Sequence, residues 1–320
     1  MKASAVVRLT RQAERRVVKE RIPMNSSIQM SNRNKGILCI ILSAFCFALM
    51  NVFVRLSGDL PTVQKSFFRN LVAVVFAVIA IRKQKIPMRV EKKNWFYLIA
   101  RSFFGTAGML CNFYAVDHLM VADASMLNKL SPFFVLIFSF LLLKEKIKPF
   151  QIFCVIMAFT GMLFIIKPGV GTMTVVPALI GAAGGLGAGL AYTFVRILGT
   201  KGVKGPFIVF FFSAFSCLVV LPYLIFHYQA MTGWQLLMLI GAGFAAAGGQ
   251  FSITAAYTYA PASEISIYDY TQIIFATILS FFILGQVPDG YSFLGYFIIC
   301  MASLIMFLYN RKPHAVKESR

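Results

Sequence analysis

The chain contains a series of apolar stretches, each about as long as a helix that crosses a membrane. Such a helix needs roughly 20 residues to cross about 30 Å of hydrocarbon, because backbone groups in lipid must find their hydrogen bonds within the segment. Ten stretches satisfy this, at residues 36–56, 62–81, 95–115, 121–143, 149–166, 177–198, 206–226, 234–258, 263–284 and 291–309. The pattern predicts an all-α integral membrane protein with ten transmembrane helices.

The net charge of +20 would suit a nucleic-acid partner, but the composition argues against that class. Only 13% of the residues are charged and 59% are hydrophobic, whereas a soluble globular chain carries about 25% charged residues. Of the 31 Lys and Arg residues, 24 lie in the two tails and the loops on their side, and only Lys167 lies in a loop on the other side. By the positive-inside rule, both termini are expected in the cytoplasm, with the chain in the cell (cytoplasmic or inner) membrane.

The first 30 or so residues are basic and polar, and they lack the apolar core of a signal peptide. We therefore expect a basic cytoplasmic tail over residues 1–35 and a short cytoplasmic tail over residues 311–320. Translation that begins at Met24 or Met30 is an alternative, in which residues 1–23 are not part of the protein.

The two halves of the chain resemble each other when the sequence is shifted by 141 residues. Residues 51–58 then align with residues 192–199, and Gly108 aligns with Gly249. The halves, 36–167 and 168–310, each contain five predicted helices. Because five is odd, the second half must enter the membrane from the opposite side, which makes the repeats inverted. Inverted repeats are typical of secondary transporters, in which a site near the midplane opens alternately to each side.

Several segments resemble the drug/metabolite transporter superfamily, and specifically its EamA-type members with two five-helix repeats. They are residues 67–70, 122–132, 143–146, 260–266 and 282–285. The second repeat departs from the family pattern at Ile273, where a Pro is expected, and at Gln286, where a Glu is usual. The resemblance implies a carrier of metabolites or drugs, with a cavity between helices 1 to 4 and 6 to 9.

Charged residues deep in the predicted helices are the best candidates for a site, since an ionised group in the bilayer is normally paired or faces water. At about 1.5 Å per residue, Arg101 and Asp269 each lie about 9 Å from the cytoplasmic face, and we predict that they form a gate there. Lys129 lies about 12 Å and Arg69 about 10 Å from the outer face. We expect these two to attract an anionic group of the substrate, although Arg69 could instead be structural.

Polar stripes at helical spacing add further substrate-binding candidates on the third, fourth and ninth helices. The polar candidates are Asn112, Asn128, Gln272 and, in addition to its gating role, Asp269. Tyr268 and Tyr270 could stack on a planar substrate. The alternatives are hydrogen bonds that only hold helices together and, for the tyrosines, packing or an interfacial belt.

The predicted function is secondary-active transport of a small organic anion or zwitterion, such as an amino acid or carboxylate, by alternating access. The alternative is export of lipophilic or cationic drug-like compounds. No HExxH or GxSxG motif is present, so the chain is not expected to be an enzyme, and neither a cofactor nor a metal is expected. The expected partners are a small-molecule substrate, the lipid bilayer and, as an open alternative, a coupled proton or counter-substrate; nucleic acid is not expected.

Overall fold

The computed structural model describes residues 32–87, 90–143, 148–167, 172–259 and 266–311. Every regular element within these ranges is helical. The helices are α1 Asn32–Leu56, α2 Thr62–Lys83, α3 Trp95–His118, α4 Val121–Asn128, α5 Ser131–Leu143, α6 Pro149–Ile166, α7 Thr172–Thr200, α8 Gly205–His227, α9 Gly233–Tyr259, α10 Thr271–Leu284 and α11 Gly290–Arg311. Two 3₁₀ turns, Lys92–Asn94 and Ser266–Tyr270, precede α3 and α10.

Eight helical segments of the described chain are long and apolar enough to cross a membrane. The fourth of the ten predicted spans counts among them as one segment, Val121–Leu142. The third and ninth are not among the eight. The third, α3, contains the polar residues Arg101, Asn112 and Asp117, and Tyr268–Leu284 is shorter than the others. Large apolar side chains on the outside of the bundle, such as Phe226 at 83% exposure, are in keeping with a lipid surrounding.

The fourth predicted span is broken near its middle, between α4 and α5. Pro132 has no backbone N–H, so the carbonyl four residues earlier, on Asn128, loses its helical partner. The amide nitrogens of Phe133 and Phe134 both bond to the carbonyl of Leu130 instead, which starts the new helix. Lys129 therefore lies at a helix break rather than inside a continuous helix.

The ninth predicted span is irregular at the corresponding place, although it has no proline there. Residues Ser266–Tyr270 form the tighter 3₁₀ turn before α10 begins. The Thr271 hydroxyl donates to the Tyr268 carbonyl at 2.7 Å, which satisfies one of the acceptors that such a turn leaves free. Both halves thus carry a discontinuity at equivalent points of the repeat.

The helices pack in pairs that are preserved when the two halves of the chain are exchanged. The most extensive packing is that of α1 against α9, α3 against α7, α6 against α11 and α2 against α8. Exchange of the halves converts the first pair into the second and maps the other two pairs onto themselves. The tertiary structure therefore reproduces the internal repeat found in the sequence.

Glycines on α7 allow two neighbouring helices to approach its backbone. A Cβ atom added at Gly187 would lie 2.8 Å from the Gly108 Cα on α3, and one added at Gly184 would lie 3.1 Å from the Gly108 carbonyl oxygen. On another face of α7, a Cβ at Gly185 would lie 2.6 Å from the Leu127 carbonyl oxygen of α4. Close backbone packing of this kind is usual where small residues recur on membrane helices.

Candidate functional site

A cavity of about 90 Å³ lies between the two halves of the molecule, where residues of both repeats meet. Its polar lining comes from α1, α2, α3, α7, α9, α10 and the break between α4 and α5. The polar lining residues are Asn51, Arg69, Arg101, Asn112, Asn128, Lys129, Tyr192, Gln250 and Gln272. Six of these were predicted from the sequence as site residues: Arg69, Arg101, Asn112, Asn128, Lys129 and Gln272.

The cavity is small for a metabolite site. Pockets for small molecules usually measure roughly 300–1,000 Å³, whereas this one measures about 90 Å³. The helices must therefore separate before a whole metabolite can enter. The structure represents a contracted form of the protein.

An ion pair joins the two helix discontinuities at the edge of this cavity. The Lys129 ammonium lies 2.6 Å from the Asp269 carboxylate, with 6% and 9% of the two side chains exposed. The Tyr270 hydroxyl donates to the Lys129 carbonyl at 3.0 Å, which satisfies an acceptor near the end of α4. The second carboxylate oxygen of Asp269 is buried and has no hydrogen-bond partner among the described residues. The pair directly connects the first repeat to the second.

The predicted contact between Arg101 and Asp269 is not formed in this structure, because the carboxylate is taken up by Lys129. The guanidinium of Arg101 instead lies over the Phe212 ring of α8, 4.0 Å from its centroid. The guanidinium of Arg69 lies 5.9 Å from the same centroid. It also donates to the Asn70 side-chain oxygen at 2.7 Å. Both arginines are almost fully buried, and the Nε atom of each lacks a hydrogen-bond partner in the described ranges.

A chain of polar side chains crosses the cavity wall from α1 to α3 and α4. Asn51 donates through its amide nitrogen to the Ser125 hydroxyl at 3.1 Å. Asn112 donates to the Asn51 amide oxygen at 3.4 Å. The amide oxygen of Asn112 is buried without a donor from the described chain. This wall can therefore still accept a hydrogen bond.

The two tyrosines predicted as substrate-binding residues do not line the cavity. Tyr268 packs beside Ile40 and Ala256, in a small apolar cluster between α1 and α9. Tyr270 lines a separate, mostly apolar crevice between α10 and α11. Consecutive residues of a 3₁₀ turn are about 120° apart, so Tyr268, Asp269 and Tyr270 must face three directions. Asp269 is the one of the three that turns toward Lys129.

Among the cavity residues that were not predicted from the sequence are three polar ones, Asn51, Tyr192 and Gln250, and the aromatic Phe212. Asn51 and Tyr192 could have been found, because they occupy the same position in the two repeats and both are polar residues within apolar helices. Phe212 carries no such signal. One Phe among the 33 in the chain cannot be distinguished by its sequence context.

One end of the bundle is closed by a second polar cluster, which we term the Lys65 cluster: Arg55, Gln64, Lys65, Asp117 and Gln229. Lys65 is fully buried, and its ammonium lies 2.6 Å from the Asp117 carboxylate. Gln64 donates to the backbone carbonyl of Gln229 at 2.8 Å and accepts from its backbone nitrogen at 3.0 Å. Arg55 donates to the backbone carbonyls of Val116 and Asp117. These contacts tie together the ends of α1, α2 and α3 and the segment after α8.

Comparison with known proteins identifies the repeat and the class. The model of the EamA-like transporter family matches residues 34–167 and again residues 176–308. The two matches coincide with the two halves that exchange in the helix packing.

Several named relatives are transporters or solute carriers. The chain is 29% identical over 282 residues to the pseudopaline exporter CntI of Pseudomonas aeruginosa, which covers 85% of this chain and 95% of that protein. It is 26% identical over 271 residues to solute carrier family 35 member G1 of Homo sapiens, covering 80% and 74% of the two chains. It is 26% identical over 283 residues to a riboflavin transporter of Brucella anthropi, covering 83% and 96%.

The fold is similar to that of a protein of known crystal structure. The two superpose with a TM-score of 0.65 at 16% sequence identity, over 88% of this chain and 99% of the other. At this identity the likeness concerns the fold alone.

Proposed function

Because the chain belongs to the EamA-like transporter family, we propose that it is a secondary-active carrier of a small organic anion or zwitterion, such as an amino acid or carboxylate. The observation that carries this proposal is the cationic cavity between the two repeats. Arg69, Arg101 and Lys129 all line it, and amide side chains supply the remaining polar surface. Such a lining attracts carboxylates and repels cations.

We further propose ten spans in two inverted repeats, with both termini in the cytoplasm and the chain in the cytoplasmic (inner) membrane. The distribution of basic residues supports this, since 24 of 31 lie on the side of the tails. The third and ninth segments also expose large apolar side chains on the outside of the bundle, such as Phe103 and Phe282, which supports their placement in the bilayer. In this topology the Lys65 cluster lies at the outer face.

Alternating access is supported by the arrangement of contacts around the cavity. The contracted volume, the Lys129–Asp269 pair between the repeats and the Lys65 cluster at one end together describe a closed cavity with separable walls. Discontinuous helices at the midplane are a recurring feature of carrier sites. A coupled proton or a counter-substrate would bind in the same cavity and allow the walls to separate again.

The second candidate, export of lipophilic or cationic compounds, needs an anionic or apolar site. Asp269 is the one described carboxylate beside the cavity, and Lys129 already neutralises it. An apolar crevice of about 510 Å³ between α10 and α11 favours a lipophilic solute, but it is separate from the polar cavity between the repeats. The cationic cavity therefore ranks anion or zwitterion transport first.

The proposal is tested with the purified protein in liposomes that are loaded with unlabelled amino acids or carboxylates. We expect saturable uptake of the matching labelled solute, accelerated by the internal solute, because a carrier returns faster when loaded. Arg101→Gln and Lys129→Gln should each reduce the rate strongly, while Lys93→Gln, which alters an exposed pair with Glu91, should not. Flux without saturation would indicate a channel, and wild-type rates in both cavity variants would overturn the proposed site.

A further inference from the structure

The charges around the cavity do not balance within the described chain. Arg69, Arg101 and Lys129 contribute three positive charges to its lining. The Asp269 carboxylate contributes one negative charge, and it lies 2.6 Å from Lys129. Neither arginine forms an ion pair with any described acidic residue. Two guanidinium charges are therefore left without a counter-charge.

These two charges are buried and close together. Arg69 is 3% exposed and Arg101 is 4% exposed. Both lie over the ring of Phe212, and they are near enough to repel each other. Like charges that face one ring inside a membrane protein are unfavourable unless an anion is bound between or beside them.

The hydrogen-bonding groups of the arginines point to the kind of anion. Arg101 donates no hydrogen bond to the described residues, and it lines the cavity. Arg69 has one terminal nitrogen bound to Asn70, which leaves it other donors. A guanidinium matches a carboxylate through two parallel hydrogen bonds, and each arginine can serve one carboxylate in this way.

From these two unpaired positive charges we infer that the cavity binds a short dicarboxylate, a solute with two negative charges. One carboxylate would bind Arg69 and the other Arg101. This inference rests on the proposed function and narrows its substrate class from anions and zwitterions to dianions. The solute's hydrocarbon lies against Phe212, and its charge neutralises the site when the cavity closes. Lys129 remains paired with Asp269 in this closed form.

Four solutes with the same four-carbon chain isolate the effect of charge. They are succinate with two negative charges, butyrate with one, γ-aminobutyrate as a zwitterion and putrescine with two positive charges. The purified full-length protein is titrated with each, and its thermal unfolding midpoint is followed, since a ligand stabilises the form that binds it. We expect succinate to raise the midpoint most and to bind at least about tenfold more tightly than butyrate.

Variants of the two arginines then test whether each binds one carboxylate of the solute. Arg69→Gln and Arg101→Gln each remove one positive charge, so each should lose most of the preference for succinate over butyrate. Arg101→Lys keeps the charge and should keep the preference for succinate over butyrate, although it should bind both more weakly because an ammonium group cannot form the two parallel hydrogen bonds. Lys201→Gln is the control, because Lys201 lies over the Tyr97 ring at 5.1 Å and is exposed. Without ligand, the two Gln variants should unfold at or above the wild-type temperature, because each removes a buried charge that repels its neighbour.

The inference fails if succinate and butyrate stabilise equally, if γ-aminobutyrate stabilises more, or if succinate has no effect. It also fails if the Gln variants keep the wild-type preference. A preference for γ-aminobutyrate together with saturable exchange of zwitterions would leave the proposed function standing. The absence of saturable exchange for any amino acid or carboxylate would instead overturn the proposed function itself.

Discussion

At the scale of single residues, Lys129 and Asp269 form a buried ion pair that joins the two repeats beside the cavity. Removing one partner of a buried ion pair leaves an uncompensated charge, which typically lowers stability by about 3–5 kcal/mol. Replacing both partners by apolar side chains is often neutral, because no charge is then left buried without a partner. Stability measurements on single and double variants can therefore separate the cost of an unpaired buried charge from the contribution of the ion pair itself.

We predict that Asp269→Asn lowers the free energy of unfolding by about 3–5 kcal/mol. The double variant Lys129→Met with Asp269→Leu should recover most of that loss and yet fail to transport, because the cavity contact is gone. Denaturant unfolding in detergent measures the first effect, and uptake in liposomes measures the second.

The matched control is Asp289→Asn, which alters a pair of the same length, Lys167–Asp289 at 2.6 Å, outside the cavity. Asp289 is 47% exposed there, so we expect a change of less than about 1 kcal/mol and normal uptake. Equal destabilisation by Asp269→Asn and Asp289→Asn would show that burial of the Lys129 pair has no special weight.

All three charged residues of the lining were predicted from the sequence, because a charged residue in an apolar helix is conspicuous. The sequence did not identify the partner of Asp269. Arg101 and Asp269 are at similar predicted depth, but the helix break moves Lys129 out of the regular helical register. The direction of a side chain at a break depends on local backbone angles that hydrophobic periodicity does not encode.

At the scale of elements, the packing of α7 against α3 leaves no room for a side chain. A Cβ at Gly187 would meet the Gly108 Cα at 2.8 Å and the Phe104 carbonyl oxygen at 3.0 Å. Both are backbone atoms, so they move only if the whole helix moves. At the end of the same helix, nothing lies within 4 Å of a Cβ at Gly199.

We predict that Gly187→Ala lowers the free energy of unfolding by about 1–3 kcal/mol, the usual effect of forcing an extra carbon into a packed interface. Gly199→Ala is the control and should be neutral or stabilising by up to about 1 kcal/mol, since alanine favours the helix. Thermal unfolding of the two purified variants makes the comparison. A loss of stability at Gly199 equal to that at Gly187 would refute the role of close packing.

Where a predicted span is one continuous helix, its bounds agree with the prediction to within a few residues, because the hydrocarbon thickness and the loop residues fix them. The predicted start of the ninth span, at residue 263, lies outside the described residues. The glycines of α7 pack closely against two neighbouring helices. These partners, α3 on one face and α4 on another, could not be read from periodicity, which marks a face but not its neighbour. The irregular turn at Ser266–Tyr270 could not be predicted, because no proline marks it in the sequence.

At the scale of the whole molecule, the two ends of the bundle are built differently although the repeats are alike. The positions equivalent to Gln64 and Lys65 in the second repeat are Gly205 and Pro206, which have no polar side chain. The Lys65 cluster therefore has no counterpart at these positions. Its contacts give one end of the closed molecule a specific restraint.

We predict that Lys65→Met loosens that end. Methionine fills much of the same volume but leaves Asp117 without its ion pair, so amide hydrogen exchange should speed up in the first turn of α2 and the last turn of α3. Lys93→Gln, in an exposed pair, serves as the control and should leave exchange in these turns unchanged. Unchanged exchange in Lys65→Met would mean that the cluster does not hold the end closed.

The fold class and the family could be inferred from sequence because a repeated apolar pattern and a strongly one-sided charge distribution leave few alternatives. The conformation of the cavity could not be inferred in this way. Whether the cavity is open or closed depends on contacts such as Gln64 with Gln229, 165 residues apart in the chain. No local pattern in the sequence links such distant residues.

Phe47 and Ala188 occupy the same position in the two repeats, and this difference in size has a kinetic consequence. A Cβ at Gly249 would meet the ring of Phe47 at 2.8 Å, whereas a Cβ at Gly108 would meet the backbone of Ala188 at 2.9 Å. Two shapes related by exchange of the halves are therefore unequal in energy. An alternating-access carrier, as proposed above, then has different half-saturation concentrations on its two faces. In the absence of a gradient of any coupled solute, its maximum rates must differ in compensation, because equal substrate concentrations on both sides can then give no net flow.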